Sequence, residues 1–151
     1  MTSLPQQQAA TPVEQLDSSL FLNADVEVWV KRDDLVHPEV SGNKWRKLKY
    51  NIAALPPNAH VLTFGGAYSN HVRAVAAAGK YFGFKTSGII RGELVEPLNP
   101  VLAYATAHGM NLLSVTREDY RNRHDAAWLE AKRESTGASH VWPEGGSNTL
   151  A

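Results

Sequence analysis

The sequence of 151 residues lacks cysteine, an excess of charge of either sign and a long hydrophobic run. The absence of cysteine excludes disulfides, thiolate nucleophiles and zinc or iron–sulfur sites with cysteine ligands. Fifteen Lys and Arg residues balance fifteen Asp and Glu residues, so the charge gives no indication of a nucleic-acid or membrane partner. The most apolar stretch, residues 72–84, is interrupted by Arg73 and Lys80 and falls well short of the roughly 20 apolar residues of a membrane span. The polar N-terminus has no signal-peptide pattern, so we expect a soluble, cytoplasmic protein.

Hydrophobic periodicity predicts strands and helices that alternate along the chain. Strands are predicted over 26–30, 60–64, 86–90 and 111–115, and helices over 43–55, 70–82, 99–108 and 116–134. The last segment, 140–151, has the pattern of one more strand, a glycine turn and a helix N-cap. This alternation implies right-handed βαβ units, so the predicted fold class is α/β, with a parallel sheet and helices on both faces.

The predicted helix 43–55 begins with basic residues. Lys44 lies in its first turn, and three further basic residues follow before Tyr50 without an acidic one. The positive end of the helix dipole and the like charges both favour the neutral form of the Lys44 amine, which a lysine that forms a Schiff base requires. A solvated basic helix face would explain the same residues without any function.

A second candidate site is the glycine-rich turn Gly65–His71, between a predicted strand and the helix that follows it. Ligands gather at the carboxyl ends of parallel strands, and the free N–H groups of a helix start bind anions such as a carboxylate. The turn lacks the lysine of a Walker loop and matches neither a dinucleotide fingerprint nor a nucleophile elbow. A glycine turn with Ser69 or Asn70 as helix N-cap is the structural alternative.

The remaining titratable residues give weaker signals. None of the six histidines has the spacing of a metal site, so we expect no metal, and only His71 lies beside a candidate site. Asp33 and Asp34 are adjacent, so on a strand they would point to opposite faces. A role in a loop or in ion pairs is therefore favoured over shared acid–base chemistry.

Four motifs in a fixed order carry a resemblance to a known enzyme family. They are Lys31–Leu35 (KRDDL), Ser41–Leu48 (SGNKWRKL), Gly65–His71 (GGAYSNH) and Pro143–Asn148 (PEGGSN). Together they resemble the pyridoxal-phosphate enzymes of the 1-aminocyclopropane-1-carboxylate deaminase/D-cysteine desulfhydrase family. The resemblance implies fold type II, similar to the β subunit of tryptophan synthase.

The same resemblance implies a domain organisation. A flexible N-terminus would cover 1–25, the start of a large cofactor domain 26–46, a small α/β domain 47–139, and a return into the large domain 140–151. The family continues beyond this point with a glycine-rich loop for the cofactor phosphate, and no candidate for that loop occurs before Ala151. We therefore expect the chain to be the N-terminal part of such an enzyme.

The resemblance also implies roles for individual residues. Lys44 matches the catalytic lysine that holds pyridoxal 5'-phosphate covalently, and Asn43 matches a neighbouring cofactor-binding residue. Asn70 matches the asparagine that hydrogen-bonds the phenolic oxygen of the cofactor. Ser69 matches a catalytic serine that faces the substrate near its carboxylate. His71 completes the predicted cofactor-binding set.

Two departures from the family pattern bear on the substrate. Family members that open the cyclopropane ring typically carry Gln at the position of His71, whereas D-cysteine desulfhydrase-like members carry His. The Gln that often precedes the Ser-Asn pair is replaced here by Tyr68.

The implied function is a lyase or deaminase that releases ammonia and a 2-oxo acid from a small amino acid, as a homodimer. The alternative is a catalytically inert α/β fragment or an interaction module that needs a complementary chain.

Overall fold

A computed structural model describes residues 10–17, 19–24 and 26–150 of the chain. The strands are β1 (Val13–Gln15), β2 (Trp29–Lys31), β3 (His60–Gly66), β4 (Lys85–Arg91), β5 (Asn111–Val115) and β6 (His140–Val141). The helices are α1 (Ser19–Leu22), α2 (Asn43–Ala53), α3 (Asn70–Phe82), α4 (Pro100–Ala107) and α5 (Ala126–Thr136). Three short 3-10 turns cover Asp33–Leu35, Asp119–Asn122 and Glu144–Gly146. Within the described ranges no helix is both long and apolar enough to cross a bilayer.

Four strands form one parallel sheet in the order β5-β4-β3-β6. Helices α2, α3 and α4 pack on one face, and α5 packs on the other. Along β3, Val61 faces the first layer while Leu62 and Phe64 face the second, because successive side chains of a strand point to opposite sides. The predicted α/β class with a parallel sheet and helices on both faces is confirmed.

The start and end of α3 follow the sequence signals. The Ser69 side chain accepts a hydrogen bond from the backbone N–H of Val72, as an N-cap does. Gly83 ends the helix with φ of 76°, a left-handed conformation that glycine adopts without steric cost. These two residues therefore set the bounds of the helix that carries the second candidate site.

The single helix predicted over 116–134 is wrong. The Thr116 hydroxyl caps only the 3-10 turn Asp119–Asn122, by accepting a hydrogen bond from the N–H of Asp119. Asp125 then caps a separate helix, α5, because its carboxylate accepts from a backbone N–H three residues later. The second capping residue divides the predicted helix in two.

A single helix over 116–134 would place Tyr120, His124, Ala127, Trp128 and Ala131 on one side, and this prediction is also partly wrong. Tyr120 is buried and Trp128 is half-buried against the sheet. His124, Ala127 and Ala131 are exposed. The break between the two elements changes the rotation of the second one, so one helical periodicity cannot describe both.

The N-terminal part contains a strand that the sequence did not signal. The strand predicted over 26–30 begins later, as β2, and pairs antiparallel with β1. Strand β1 lies within segment 1–25, which was predicted to be flexible; residues 1–9, 18 and 25 lie outside the described part. The division into domains stays a prediction, although β6, in segment 140–151, pairs with β3 of the four-stranded sheet.

Helix α3 approaches β4 at a buried glycine, Gly79. A Cβ atom at this position would lie 2.5 Å from Cγ2 of Thr86 and 2.9 Å from the carbonyl oxygen of Phe84. We expect Gly79→Ala to lower the free energy of unfolding by about 1–3 kcal/mol, because the backbone cannot move away easily. Lys80→Ala, at the exposed neighbouring position, should change it by less than about 0.5 kcal/mol. Urea denaturation measures both, and equal midpoints would contradict the predicted close packing.

Candidate active site

Helix α2 begins with an inward-facing lysine. Gly42 precedes the helix with φ of 62°, and Asn43 is its exposed first residue. Trp45 and Leu48 are buried and hold the helix against the core. Lys44 is 8% exposed, and its Nζ atom donates a hydrogen bond to the carbonyl oxygen of Gly145 at 3.2 Å. Lys44 is therefore not part of a solvated basic face, and its role as the reactive lysine stays a prediction.

The electrostatic surroundings of Lys44 favour its neutral amine. Burial lowers its pKa from the ordinary value of 10.5, and the nearby Lys47 ammonium lowers it further. No carboxylate forms an ion pair with Lys44 in the part of the chain that the structure describes. The sequence predicted a lowered pKa of Lys44 from the helix dipole and the like charges, whereas the structure identifies burial as the largest cause of the shift.

The turn near the C-terminus docks along α2. Lys47 Nζ donates to Ser147 Oγ at 2.6 Å. Asn51 Nδ2 donates to Asn148 Oδ1 at 3.2 Å, and Asn148 Nδ2 donates to Asn51 Oδ1 at 2.6 Å. Sequence reasoning missed this contact. Its signal was the spacing of Lys44, Lys47 and Asn51, which places three polar side chains on one helix face.

The turn before α3 has the structural role foreseen as the alternative, since the Ser69 hydroxyl caps the helix at 3.3 Å. A Cβ at Gly65 would lie 2.6 Å from Cγ2 of Val72 and 2.7 Å from Ser69 Oγ, so only glycine allows this close approach. Asn70 is exposed at the first position of the helix. The described contacts of the Asn70 side chain include no hydrogen bond, which leaves its amide open to a ligand.

His71 is fully buried beneath the C-terminal turn, with 1% of its surface exposed. The Thr63 hydroxyl donates to the carbonyl oxygen of Trp142 at 3.1 Å, so it accepts from His71 Nε2–H at 2.8 Å. This assigns the Nε2–H tautomer and leaves Nδ1 as a buried acceptor without a hydrogen-bond partner among the described residues. Burial and the charges of Lys44 and Lys47 lower the pKa of His71 to about 3, so the ring is neutral.

Gly145 and Gly146 join the two candidate sites. Gly145 accepts the hydrogen bond of Lys44, while a Cβ at Gly146 would lie 2.9 Å from Cε1 of His71. Lys44 and His71 therefore contact the same two-residue segment. Ser69 and Asn70 directly precede His71 in the chain.

Other predicted positions lie outside this cluster. Asp33 pairs with Arg46 at 2.8 Å and Asp34 pairs with Arg32 at 2.9 Å. The expected ion-pair role of the two aspartates is confirmed. Tyr68 is 76% exposed.

Comparison with curated proteins supplies relatives for most of the chain. The chain is 39% identical over 145 residues to a putative 1-aminocyclopropane-1-carboxylate deaminase of Thermotoga maritima. It is 37% identical over 135 residues to the mitochondrial bifunctional D-cysteine desulfhydrase/1-aminocyclopropane-1-carboxylate deaminase of Arabidopsis thaliana, and 33% identical over 149 residues to the D-cysteine desulfhydrase of Serratia proteamaculans. The chain belongs to the 1-aminocyclopropane-1-carboxylate deaminase/D-cysteine desulfhydrase family.

The matches to the Thermotoga maritima, Arabidopsis thaliana and Serratia proteamaculans proteins cover 93%, 82% and 94% of this chain, respectively. They cover only 46%, 34% and 45% of those relatives, so the chain spans less than half of their length. No protein-family model matches the chain. Among solved structures, that of a 1-aminocyclopropane-1-carboxylate deaminase homologue superposes with a TM-score of 0.78 and 26% identity, over 97% of this chain and 46% of that one. An O-ureido-L-serine synthase shares the fold at a TM-score of 0.63 and 15% identity, over 86% of this chain and 40% of that one. The fold-type-II architecture expected from the resemblance is thereby confirmed.

The lowered pKa of Lys44 predicts a pH dependence of stability. The unfolded chain binds the Lys44 proton more tightly than the folded chain, so the free energy of unfolding should gain from Lys44 as the pH rises toward 10.5. Lys44→Met should remove this contribution, which denaturant titrations of both proteins across this range would measure. NMR titration of labelled lysine side chains should also give Lys44 a midpoint below 10.5, and Lys47→Met should raise it. A Lys44 midpoint at or above the ordinary value would contradict the proposed electrostatics.

The contact between Gly146 and His71 predicts different effects for the two glycines of the turn. Both have positive φ, 76° at Gly145 and 77° at Gly146, but a Cβ at Gly145 would meet no atom within 4 Å. Gly145→Ala should therefore cost about 1–2 kcal/mol for its backbone conformation alone. Gly146→Ala should cost about 1–3 kcal/mol more, because its methyl group would overlap the His71 ring. Urea denaturation compares them, and equal losses would show that the turn does not press on His71.

Proposed function

We propose that this chain carries the reactive lysine of a pyridoxal-phosphate-dependent lyase, which releases ammonia and a 2-oxo acid from a small amino acid. Membership of the family supports the reaction class. The observation that carries the proposal is the Lys44 amine, which is buried, has a lowered pKa and donates to a backbone carbonyl rather than to a carboxylate. The chain corresponds to 34–46% of the length of its relatives, so the activity is proposed for the protein to which this part belongs.

The residues present fit pyridoxal 5'-phosphate at two points. A buried amine without a charged partner suits condensation with an aldehyde, because its neutral form is the nucleophile. The second point is the start of α3, where Gly65 keeps the turn close to the helix and the Asn70 amide is exposed. Lys44 would hold the cofactor, and Asn70 would donate to its phenolic oxygen. Asn43, exposed beside Lys44, would border the same site.

The bound cofactor supplies an electron sink for the electron pair released at the substrate's α-carbon. Proton transfer would fall to Lys44 Nζ, whose lowered pKa lets it accept a proton and return it. His71 cannot share this role, because its imidazole is buried and its pKa is about 3. The Ser69 side chain caps one N–H group at the start of α3. The N–H groups that remain free there would favour a substrate carboxylate.

We infer that His71 is a positioning residue rather than a direct cofactor contact. Its Nε2–H binds Thr63 and its ring packs on Gly146, so it supports the turn whose Gly145 carbonyl orients Lys44. This revises the assignment of His71 to the cofactor-binding set. It also gives a physical reason for histidine at this position together with glycine at 146, since the ring occupies the space that a Cβ would need.

The proposed substrate is D-cysteine or a similar small amino acid with a β-leaving group. The motif with His71 resembles D-cysteine desulfhydrase-like members of the family, and relatives of both names match this chain. Opening of the cyclopropane ring is the alternative within the same reaction class. A homodimeric assembly of the longer protein, with residues 47–139 as its small domain, is part of the proposal.

Trapping with borohydride tests the cofactor lysine directly. The chain is incubated with pyridoxal 5'-phosphate, reduced and digested, and the modified peptide is identified by mass spectrometry. We expect the reduced adduct at Lys44 in preference to the more exposed Lys47 and Lys49, because the neutral amine reacts. Lys44→Arg should lose that adduct and Lys49→Arg should keep it. Equal labelling of all exposed lysines would instead favour the inert fragment or interaction module.

A side-by-side assay tests the substrate. It uses a longer protein that contains this chain and has the full length of the relatives. D-cysteine, D-serine and 1-aminocyclopropane-1-carboxylate are compared by release of 2-oxo acid. We expect D-cysteine to give the highest kcat/KM and His71→Gln to lower it. Equal rates on all three substrates would remove the argument from His71, and a chain inactive on all of them would contradict the lyase proposal.

A further inference from the structure

A cavity lies at the carboxyl ends of the sheet strands, beyond β4 and β5. It has a volume of about 320 Å³, and its lining consists of Arg91, Arg117, Tyr120, Arg121 and Arg123. Arg91 is the last residue of β4, and the other four follow β5 within a few residues. The parallel arrangement of the two strands therefore brings four guanidinium groups to one concave surface.

The positive charge of this cavity is largely uncompensated. Arg123 forms an ion pair with Glu144 at 2.7 Å. For Arg91, Arg117 and Arg121 the described part of the chain provides no ion pair. Because the whole chain has a formal net charge of zero, this is a local concentration of cations rather than a general basic character.

Tyr120 adds a buried hydroxyl to the cavity. Its side chain is 2% exposed, with the guanidinium carbons of Arg91 and Arg123 lying 5.8 and 5.0 Å from its ring centroid. The hydroxyl oxygen is buried without a hydrogen bond of standard geometry among the described residues. Burial and the neighbouring Glu144 carboxylate raise the pKa of Tyr120, so the hydroxyl remains a donor. Tyr120 therefore lines the cavity as a neutral side chain.

The cavity lies next to a groove that reaches the turn of the candidate active site. A neighbouring groove of about 620 Å³ shares Arg91 and Arg117 with it and extends to Ala67, in the turn Gly65–His71. The Arg91 guanidinium also lies close to this turn, because its Nη2 atom is 3.6 Å from the position of a Cβ on Gly66. A ligand in the cavity would thus sit at the same edge of the sheet as the proposed site.

We propose that the cavity between Arg91 and Arg123 binds a small polyvalent oxyanion, one that carries a phosphoryl group or several carboxylates. Guanidinium groups bind such oxygens in pairs, and a cavity of this volume is at the lower end of the range for small-molecule sites. A nucleic acid would need an extended basic surface, whereas these arginines line a single concave region. The proposal does not depend on the proposed lyase activity.

Isothermal titration calorimetry of the chain with inorganic pyrophosphate, citrate and a short oligonucleotide tests the proposal. We expect saturable binding of pyrophosphate or citrate with one site per chain, and the stronger of the two identifies the chemistry of the ligand. Arg91→Gln and Arg117→Gln should each weaken it about tenfold, because each removes a charged hydrogen-bond donor. Both arginines are exposed, so we expect neither substitution to disturb folding, and circular dichroism checks this.

Lys85→Gln is the matched control. Lys85 is exposed at the first position of β4, and Arg91 is at the last position of the same strand. The two variants therefore change the net charge equally at opposite ends of this strand. Lys85→Gln should retain the affinity of the unmodified chain. The proposal is overturned if neither small anion binds saturably, if the oligonucleotide alone binds, or if Lys85→Gln loses as much affinity as Arg91→Gln.

Discussion

The hydrogen bond between Lys44 Nζ and the Gly145 carbonyl joins residues 101 positions apart, and the arrangement of the site depends on it. A buried amine is costly to charge, and a carbonyl oxygen compensates it only in part. Three further hydrogen bonds fasten the same turn to α2, through Lys47 and Asn51. The turn thus holds Lys44 inside the protein without a carboxylate, which favours the neutral form of its amine.

His71 packs against the same turn. Thr63 lies on β3 and donates to Trp142, just after β6, so one hydroxyl connects two neighbouring strands and fixes the imidazole. The ring then occupies the space beside Gly146. Because every polar group in this chain of contacts is neutral except Lys44, the surroundings cannot neutralise the amine by an ion pair. The turn and its contacts therefore both bury Lys44, which lowers its pKa, and orient its amine.

The carboxyl edge of the parallel sheet organises both proposed binding regions. β3 ends at the glycine turn and at the start of α3, while β4 and β5 end at the arginine-lined cavity. All three strands run in one direction, so their ends and the loops that follow them meet at one edge. The first region contains Lys44 and the pair Ser69-Asn70 from the motifs that resemble the family, whereas the arginines of the second region lie outside those motifs.

Local sequence determined most of the elements. The α/β class, the cap at Ser69 and the glycine end of α3 all follow from residues close together in the chain, because capping and periodicity act over a few positions. The break between Thr116 and Asp125 also rests on local caps, which the predicted single periodicity did not take into account. The pairing of β1 and the burial of His71 were decided by tertiary structure, because they depend on which distant segments meet, and a glycine that admits an imidazole has no signature in its own neighbourhood. The sequence alone selected Lys44 as the candidate lysine, but only the fold showed what covers it.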